Sequence, residues 1–125
     1  QAIGLRAALD YVSALGIEQI RAHEQVLLDY GTKRLGDIKG LELFGKAKNK
    51  AAIFSFIVKG THPFDLASIL DRQGVAVRVG QHCAEPLMDR LGVSGTLRAS
   101  LAMYNTTNEI DVMIEGLEHA RKLFS

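Results

Sequence analysis

Two long stretches at the start of the chain carry the hydrophobic period of amphipathic helices. Between Gln1 and Leu15, apolar residues recur at spacings of three and four, and Gly16 interrupts the pattern. A second and longer pattern of the same kind covers Ile17–Ile38, and Gly40 follows it. The chain is therefore expected to begin with two consecutive helices.

Shorter apolar runs in the rest of the chain predict four strands. They are Leu41–Gly45, Ala51–Val58, Gly74–Gly80 and Thr96–Leu101. The second run is apolar on both faces, so we expect helices to cover it. The basic turn Lys46–Lys50 is expected to be a solvated loop or a charged guard at a sheet edge rather than a phosphate site.

Boundary residues indicate three further helices. Pro63 and Pro86 each stand in a first helical turn, and Gly92 stops the short helix that Pro86 opens. Thr106 and Glu109 have the spacing of a capping box, which marks the start of a final helix. Together these elements predict an α+β fold, a two-layer domain in which a small sheet of about four strands packs with helices.

Length and composition limit the classes of protein to consider. A length of 125 residues is that of one domain with a real core, so we assign residues 1–125 to a single domain. The net charge of +1 offers no basic excess for nucleic acid or an anionic membrane. No apolar run approaches the roughly 20 residues that a membrane helix needs. Because the chain begins at Gln1, inside a helical pattern, we expect it to be a piece of a longer protein.

The single cysteine, Cys83, is the first candidate for chemistry. It excludes an internal disulfide and suits a reducing compartment, so the cytoplasm is the expected location. It lies in a glycine-bearing loop, just before the helix that Pro86 opens, where the partial positive charge of the helix favours a thiolate. Arg78 adds positive potential if its side chain turns the same way. Polar neighbours predict that the loop is accessible.

Arg98 is the second candidate, on the fourth predicted strand. A guanidinium binds a carboxylate through two parallel hydrogen bonds, so Cys83 and Arg98 on neighbouring elements predict a site for a small acid. Each residue alone is a weak signal, because a lone cysteine is more often a small buried hydrophobe and a strand arginine an exposed edge charge. Zinc at His82 and Cys83 is disfavoured, since adjacent residues rarely ligate one ion and the sequence has no second cysteine.

The stretch from Arg78 to Thr106 also resembles a known family. The residues R-x-G-x-H-C-A-x-P-L-M, followed by L-R-A-S-L-A-x-Y-N-T, are similar to the C-terminal part of group II cysteine desulfurases of the SufS/CsdA type. These are enzymes of the class V aminotransferase group that depend on pyridoxal phosphate. The resemblance covers essentially the whole chain, including A-L-D-Y-V-S-A-L-G near its start.

The resemblance implies a function for the intact protein. It implies removal of sulfur from L-cysteine to give L-alanine and a persulfide on Cys83, which then passes to a SufE-like acceptor protein for iron–sulfur cluster assembly. Cys83 would be the catalytic nucleophile, Arg98 would bind the substrate carboxylate, and Arg78 would assist by charge. His82 could donate a proton or simply pack beside the cofactor. Gln81 stands where some relatives carry histidine, so no role is assigned to it.

The resemblance also implies that the cofactor-binding part of the enzyme is absent from this chain. The family's cofactor lysine belongs to a larger N-terminal domain, so the chain is the small domain and is not expected to bind pyridoxal phosphate itself. The first helix is expected to carry an apolar surface that packs against the missing domain, and the intact enzyme is expected to be a homodimer. No metal site is expected.

Two alternatives to this function remain open. One is a selenocysteine lyase of the same superfamily. The other is a non-catalytic module that only binds the acceptor or supports a dimer. A Cys83→Ser variant separates the second from an enzyme, because a pure binding role would survive the substitution.

Overall fold

The computed structural model describes residues 1–124, which form five α-helices and one four-stranded sheet. This architecture confirms the α+β prediction. In chain order the elements are α1 (Ala2–Leu15), α2 (Ile17–Gly36), β1 (Leu41–Phe44), β2 (Ile53–Val58), α3 (Pro63–Arg72), β3 (Arg78–Gly80), α4 (Glu85–Leu91), β4 (Thr96–Ser100) and α5 (Thr107–Leu123).

The sheet has the order β1-β2-β4-β3, and every pairing is antiparallel. Its core face carries Phe54, Phe56 and Leu97, all fully buried. Three helices, α2, α3 and α5, cover this face with their apolar stripes. Their fully or almost fully buried contributions include Leu27, Leu35, Leu66, Leu70, Ile110 and Leu117.

The other face of the sheet is only partly covered. Along β2, Phe54 and Phe56 enter the core, whereas Ile53 remains 41% exposed and Ser55 half-buried. The short helix α4 lies over one part of this face, with Met88 buried beneath it. The expectation that helices cover β2 is therefore right for one face and wrong for much of the other. We refer to this second side as the open face.

Two strands begin later in the structure than the sequence predicts. The Val75 N–H donates to the Leu70 carbonyl at 3.0 Å, so this backbone stays with the end of α3 and pairing with β4 begins only at Arg78. In β2, the Ile53 N–H donates to the Ala51 carbonyl at 2.7 Å. This tight turn delays the start of the strand until Ile53.

The predicted helix boundaries are confirmed by specific caps. Thr106 accepts from the Glu109 N–H, and the Glu109 carboxylate accepts from the Thr106 N–H at 2.7 Å, which completes the capping box. Gly92 ends α4 in the left-handed conformation, with a φ of 70°. The His62 side chain caps α3 by accepting from the Phe64 N–H.

The first helix contributes no buried residue to the described fold. Its apolar side chains are nevertheless numerous, and Ile3, Leu5, Leu9 and Tyr11 are each at least 59% exposed. A helix whose apolar stripe meets only solvent is the feature that the sequence analysis expected of a surface for another partner. Within residues 1–124, no helix has the combination of length and apolar character that crossing a membrane requires.

The buried position of Leu97 leads to a stability prediction. Leu97→Ala removes a fully buried side chain from the core face of β4 and should lower the free energy of unfolding by about 2–5 kcal/mol. Leu87→Ala is the matched control, because Leu87 is 50% exposed on α4, and it should cost less than about 1 kcal/mol. Urea denaturation of both variants measures the difference, and equal losses would contradict this account of the core.

Candidate active site

The register between β3 and β4 brings the two predicted arginines together. Arg78 pairs directly with Arg98 across the antiparallel ladder, so both side chains leave the sheet on the open face. Arg78 is exposed and Arg98 is half-buried. Like charges directly opposite each other are unfavourable in a sheet. Their placement here makes a locally positive surface suited to an anionic ligand.

Two glycines let the chain turn sharply at the end of β3. Gly80 has a φ of 123°, which side-chain-bearing residues rarely adopt. Gly95, just before β4, is buried, and a Cβ atom placed on it would lie 3.0 Å from the carbonyl carbon of Gly80. The two backbones therefore approach as closely as they do because Gly95 has no side chain. The turn starts the loop that carries Cys83.

The loop itself adopts a strained backbone conformation. His82 and Cys83 are consecutive non-glycine residues with positive φ angles of 58° and 60°. A left-handed conformation costs an L-residue about 1–2 kcal/mol. Strain of this kind persists only where surrounding contacts hold it, and it is concentrated at functional sites.

His82 makes the contact that joins this loop to β4. Its Nε2 atom lies 3.1 Å from the Thr96 carbonyl oxygen and 2.9 Å from the Thr96 Oγ1. The Thr96 carbonyl oxygen can only accept, so we assign the hydrogen to Nε2, which then donates to it. The other ring nitrogen, Nδ1, is buried without a hydrogen-bond partner among the described residues.

The surroundings of His82 favour the neutral ring. Burial lowers the pKa of His82 below its ordinary value, and the positive charges of Arg98 and Arg78 lower it further. The hydrogen bond to the Thr96 backbone acts in the opposite direction without reversing the shift. His82 is therefore a neutral hydrogen-bond donor at neutral pH rather than a third cation.

Cys83 is exposed, as its polar neighbours predicted. It precedes Ala84, the N-cap of α4, which confirms the expected position just before a helix. Arg78 does turn toward it, since the Arg78 Nη2 lies 3.9 Å from the Cys83 Sγ. The Arg78 guanidinium therefore places a positive charge beside the thiol.

A cavity of about 480 Å³ lies on the open face beside this loop. Arg98, His82, Thr96 and Ser55 supply its polar lining, and its apolar lining includes Ile53, Leu87, Met88 and Leu91. The Nε atom of Arg98 is buried and has no acceptor among the described residues. A buried donor without a partner is unfavourable, so the cavity is suited to an anionic group such as a carboxylate.

The cavity does not provide a site for pyridoxal phosphate. The lysine that lines it is Lys50, whose Nζ donates to the Gly45 carbonyl at 3.2 Å. No carboxylate lines the cavity within the described residues to pair with a pyridinium nitrogen. Nor do residues 1–124 bring three histidine, cysteine or acidic side chains together in a way that could hold a metal ion.

Four of the residues gathered here were named from the sequence: Arg78, His82, Cys83 and Arg98 lie around the loop and the open face. Thr96 and Ser55 were not singled out. The period of two along a strand was the available signal for Thr96, because it places Thr96 on the same face as Arg98.

The sequence is similar to a known protein family and to curated proteins. Residues 1–113 match the family model described as "Aminotransferase class-V". A probable cysteine desulfurase of Xylella fastidiosa (strain 9a5c) is 56% identical over 121 residues, which are 97% of this chain and 29% of that protein.

Two solved structures have the same fold. The cysteine desulfurase CsdA of Escherichia coli superposes with a TM-score of 0.91 at 34% identity, covering 98% of this chain and 30% of that one. A cysteine desulfurase from Thermococcus onnurineus NA1 has the same TM-score at 35% identity, covering 97% of this chain and 31% of the other. This chain thus spans about 30% of the length of the proteins it resembles, and it belongs to the class V aminotransferase family.

Proposed function

We propose that this chain is the small C-terminal domain of a cysteine desulfurase of the SufS/CsdA type that depends on pyridoxal phosphate. In this proposal Cys83 accepts sulfur from L-cysteine and Arg98 binds the substrate carboxylate. The observation that carries the proposal is the buried Arg98 Nε without an acceptor, in a cavity beside the loop that presents an exposed cysteine. The similarity to CsdA over 98% of the chain supports the type of enzyme.

Arg98 accounts for the binding of the substrate. A small amino acid carries a carboxylate that can accept two parallel hydrogen bonds from the guanidinium, including the one that Nε lacks. The half-buried position of Arg98 strengthens such a contact, because less water competes for it. Because β4 is paired on both sides, the guanidinium is attached to a rigid part of the sheet.

Cys83 accounts for the sulfur transfer. Its thiolate attacks the sulfur of the bound cysteine, so that a sulfur–sulfur bond forms while the carbon–sulfur bond breaks. The electron pair of the broken bond remains with the carbon, which gains a proton and leaves as alanine. The product on the protein is a Cys83 persulfide. Arg78, 3.9 Å from the thiol, supplies positive charge to the attacking thiolate and, more weakly, to the substrate.

The rest of the longer protein would hold the cofactor. Pyridoxal phosphate supplies an electron sink next to the substrate carbon, and its lysine would come from the N-terminal domain. The exposed apolar stripe of α1 would pack against that domain, and the complete enzyme would be a homodimer.

An exposed loop also suits delivery of the sulfur. A persulfide on a solvent-accessible residue can be attacked by the thiol of a second protein, which we propose is a SufE-like acceptor that supplies iron–sulfur cluster assembly. A reducing compartment keeps the thiol of Cys83 free, so we place the reaction in the cytoplasm.

The first prediction from this proposal separates the roles of Cys83 and Arg98 in the full-length protein. Cys83→Ser should lower alanine formation by roughly a hundredfold or more without weakening substrate binding, because the nucleophile is lost and the carboxylate site remains. Arg98→Lys should raise the apparent dissociation constant for cysteine by about ten- to a hundredfold, since an ammonium cannot make the two parallel hydrogen bonds of a guanidinium.

Steady-state kinetics with an alanine assay measure both effects. If Cys83→Ser keeps its activity, the chain is not a desulfurase of this kind, and a binding module becomes the better assignment. A preference for selenocysteine over cysteine in the unmodified protein would assign it as a selenocysteine lyase instead.

A second prediction concerns α1. Leu5→Glu should leave the stability of the 125-residue chain within about 0.5 kcal/mol of the original, because Leu5 is 62% exposed. In the full-length protein the same change should lower the melting temperature by several degrees, because it would place a charge in an apolar interface. Arg6→Glu, at an exposed neighbouring position, is the matched control and should do little in either protein. Equal behaviour of Leu5→Glu in both proteins would rule out this interface.

A third prediction concerns the cofactor. Pyridoxal phosphate added to the 125-residue chain should give no stoichiometric visible band that survives dilution, because the described cavity lacks the groups that would hold it. The full-length protein should give one. Absorption spectra after gel filtration make the comparison, and a stable band in the short chain would show that it holds the cofactor alone.

A further inference from the structure

We propose that His82 is a positioning residue, which holds the Cys83 loop toward the open face by donating a hydrogen bond from Nε2 to the Thr96 carbonyl. The catalytic consequence of this inference rests on the proposed function. The anchoring itself can be tested without any assumption about the reaction.

The loop needs such an anchor because its conformation is unfavourable by itself. His82 and Cys83 both have positive φ angles. Apart from the 3.9 Å contact between Arg78 Nη2 and Cys83 Sγ, which are both exposed, the loop's remaining hydrogen bonds are local. The Ala84 N–H donates to the Gln81 carbonyl at 3.0 Å, and the exposed Gln81 side chain lies 3.4 Å from that of Glu85. Neither contact joins the loop to the sheet.

Among the described residues, His82 supplies the side-chain hydrogen bonds between the loop and β4. Its Nε2 lies within 3.1 Å of two oxygen atoms of Thr96, a residue that is 1% exposed. A hydrogen bond sheltered from water in this way is not readily exchanged for one to solvent. The contact therefore fixes the loop in one place.

The choice of Thr96 as the anchor point also determines where Cys83 lies relative to Arg98. Thr96 and Arg98 are two residues apart on β4, so their side chains share the open face. A loop tied to Thr96 cannot move along the strand without breaking the bond to His82. The anchor thus sets the position of the sulfur-accepting residue relative to the residue that binds the carboxylate.

The surroundings of the His82 ring disfavour a positive charge on this anchoring residue. Protonation would add a positive charge next to Arg78 and Arg98 and would place an N–H at Nδ1, where no acceptor lies within the described residues. The other ionisable groups near the ring are Lys50, which lines the same cavity, and the adjacent, exposed Cys83. Two arginines therefore face the ring, and no carboxylate among the groups that act on it compensates a third cation.

Three variants of the full-length protein test the catalytic consequence. His82→Ala should slow the first turnover of alanine formation by about ten- to a hundredfold while changing the binding of cysteine less than about threefold, because Cys83 moves and Arg98 does not. The amide of His82→Gln can still donate a hydrogen bond. The logarithm of its rate should therefore lie at least about a third of the way from that of His82→Ala back to that of the original protein. Gln81→Ala is the matched control in the same loop and should react as the original protein does.

Two outcomes would overturn the inference. One is an unchanged first-turnover rate in His82→Ala. The other is a loss of cysteine binding as large as the loss of rate, which would make His82 part of the substrate site. A failure of the unmodified protein to form any alanine would instead contradict the proposed function, and the anchoring would then be judged by spectroscopy.

The spectroscopic test uses the unmodified 125-residue chain. Long-range ¹H–¹⁵N correlation spectra distinguish the two neutral tautomers of a histidine ring, and His82 should carry its hydrogen on Nε2 at neutral pH. A ring protonated on Nδ1, or one that exchanges between tautomers like a solvated histidine, would overturn the anchor.

A pH titration gives an independent check on the same chain. Because the folded pKa of His82 is lowered, the unfolded chain binds the proton more readily, and stability should fall as the pH falls below about 6.5. His82→Gln lacks this group, so its stability should depend less on pH in that window. Identical pH dependence in the two proteins would contradict the burial of a neutral ring.

Discussion

The alternation of side chains along β4 ties the core of this chain to its candidate site. Leu97 and Ala99 enter the core, and the residues between and beside them, Thr96 and Arg98, leave on the open face. A slip of one residue would exchange the two sets and bury a guanidinium among apolar side chains, at a cost of several kcal/mol. The packing that stabilises the fold therefore also determines where Thr96 and Arg98, the proposed anchor point and the proposed carboxylate ligand, lie.

Local periodicity explains why most of the fold could be predicted from the sequence. The helices α1, α2 and α5 repeat apolar residues over many turns, and Gly92 and Thr106 mark boundaries through backbone conformation and capping. The error in the third predicted strand is also local. Gly74 ends α3 in a left-handed conformation, and the Val75 N–H donates to the Leu70 carbonyl, so these residues form the end of the helix rather than the start of a strand.

The candidate site also has residues that could be identified from the sequence and a contact that could not. Cys83 and Arg98 are each a weak signal alone, and they could be identified because they stand together in a long motif that resembles the C-terminal part of cysteine desulfurases. The bond between His82 and Thr96 joins residues 14 positions apart in the chain. Its existence depends on the register of β3 against β4 and on the close approach of Gly80 and Gly95, which are tertiary features. Residue types alone could not distinguish this role from that of a proton donor.

Two features of the chain are unfavourable in isolation, and each would be stabilised by a binding partner. The apolar stripe of α1 meets solvent, and the buried Nε of Arg98 lacks an acceptor. Burial of the stripe would gain about 25 cal/mol per Å² of apolar area, and an anion in the cavity would give Nε its hydrogen bond. On the proposed function the first need is met by the rest of the protein and the second by the substrate. The strained loop lies beside the second feature, so the sulfur-accepting residue is held next to the position where the substrate binds.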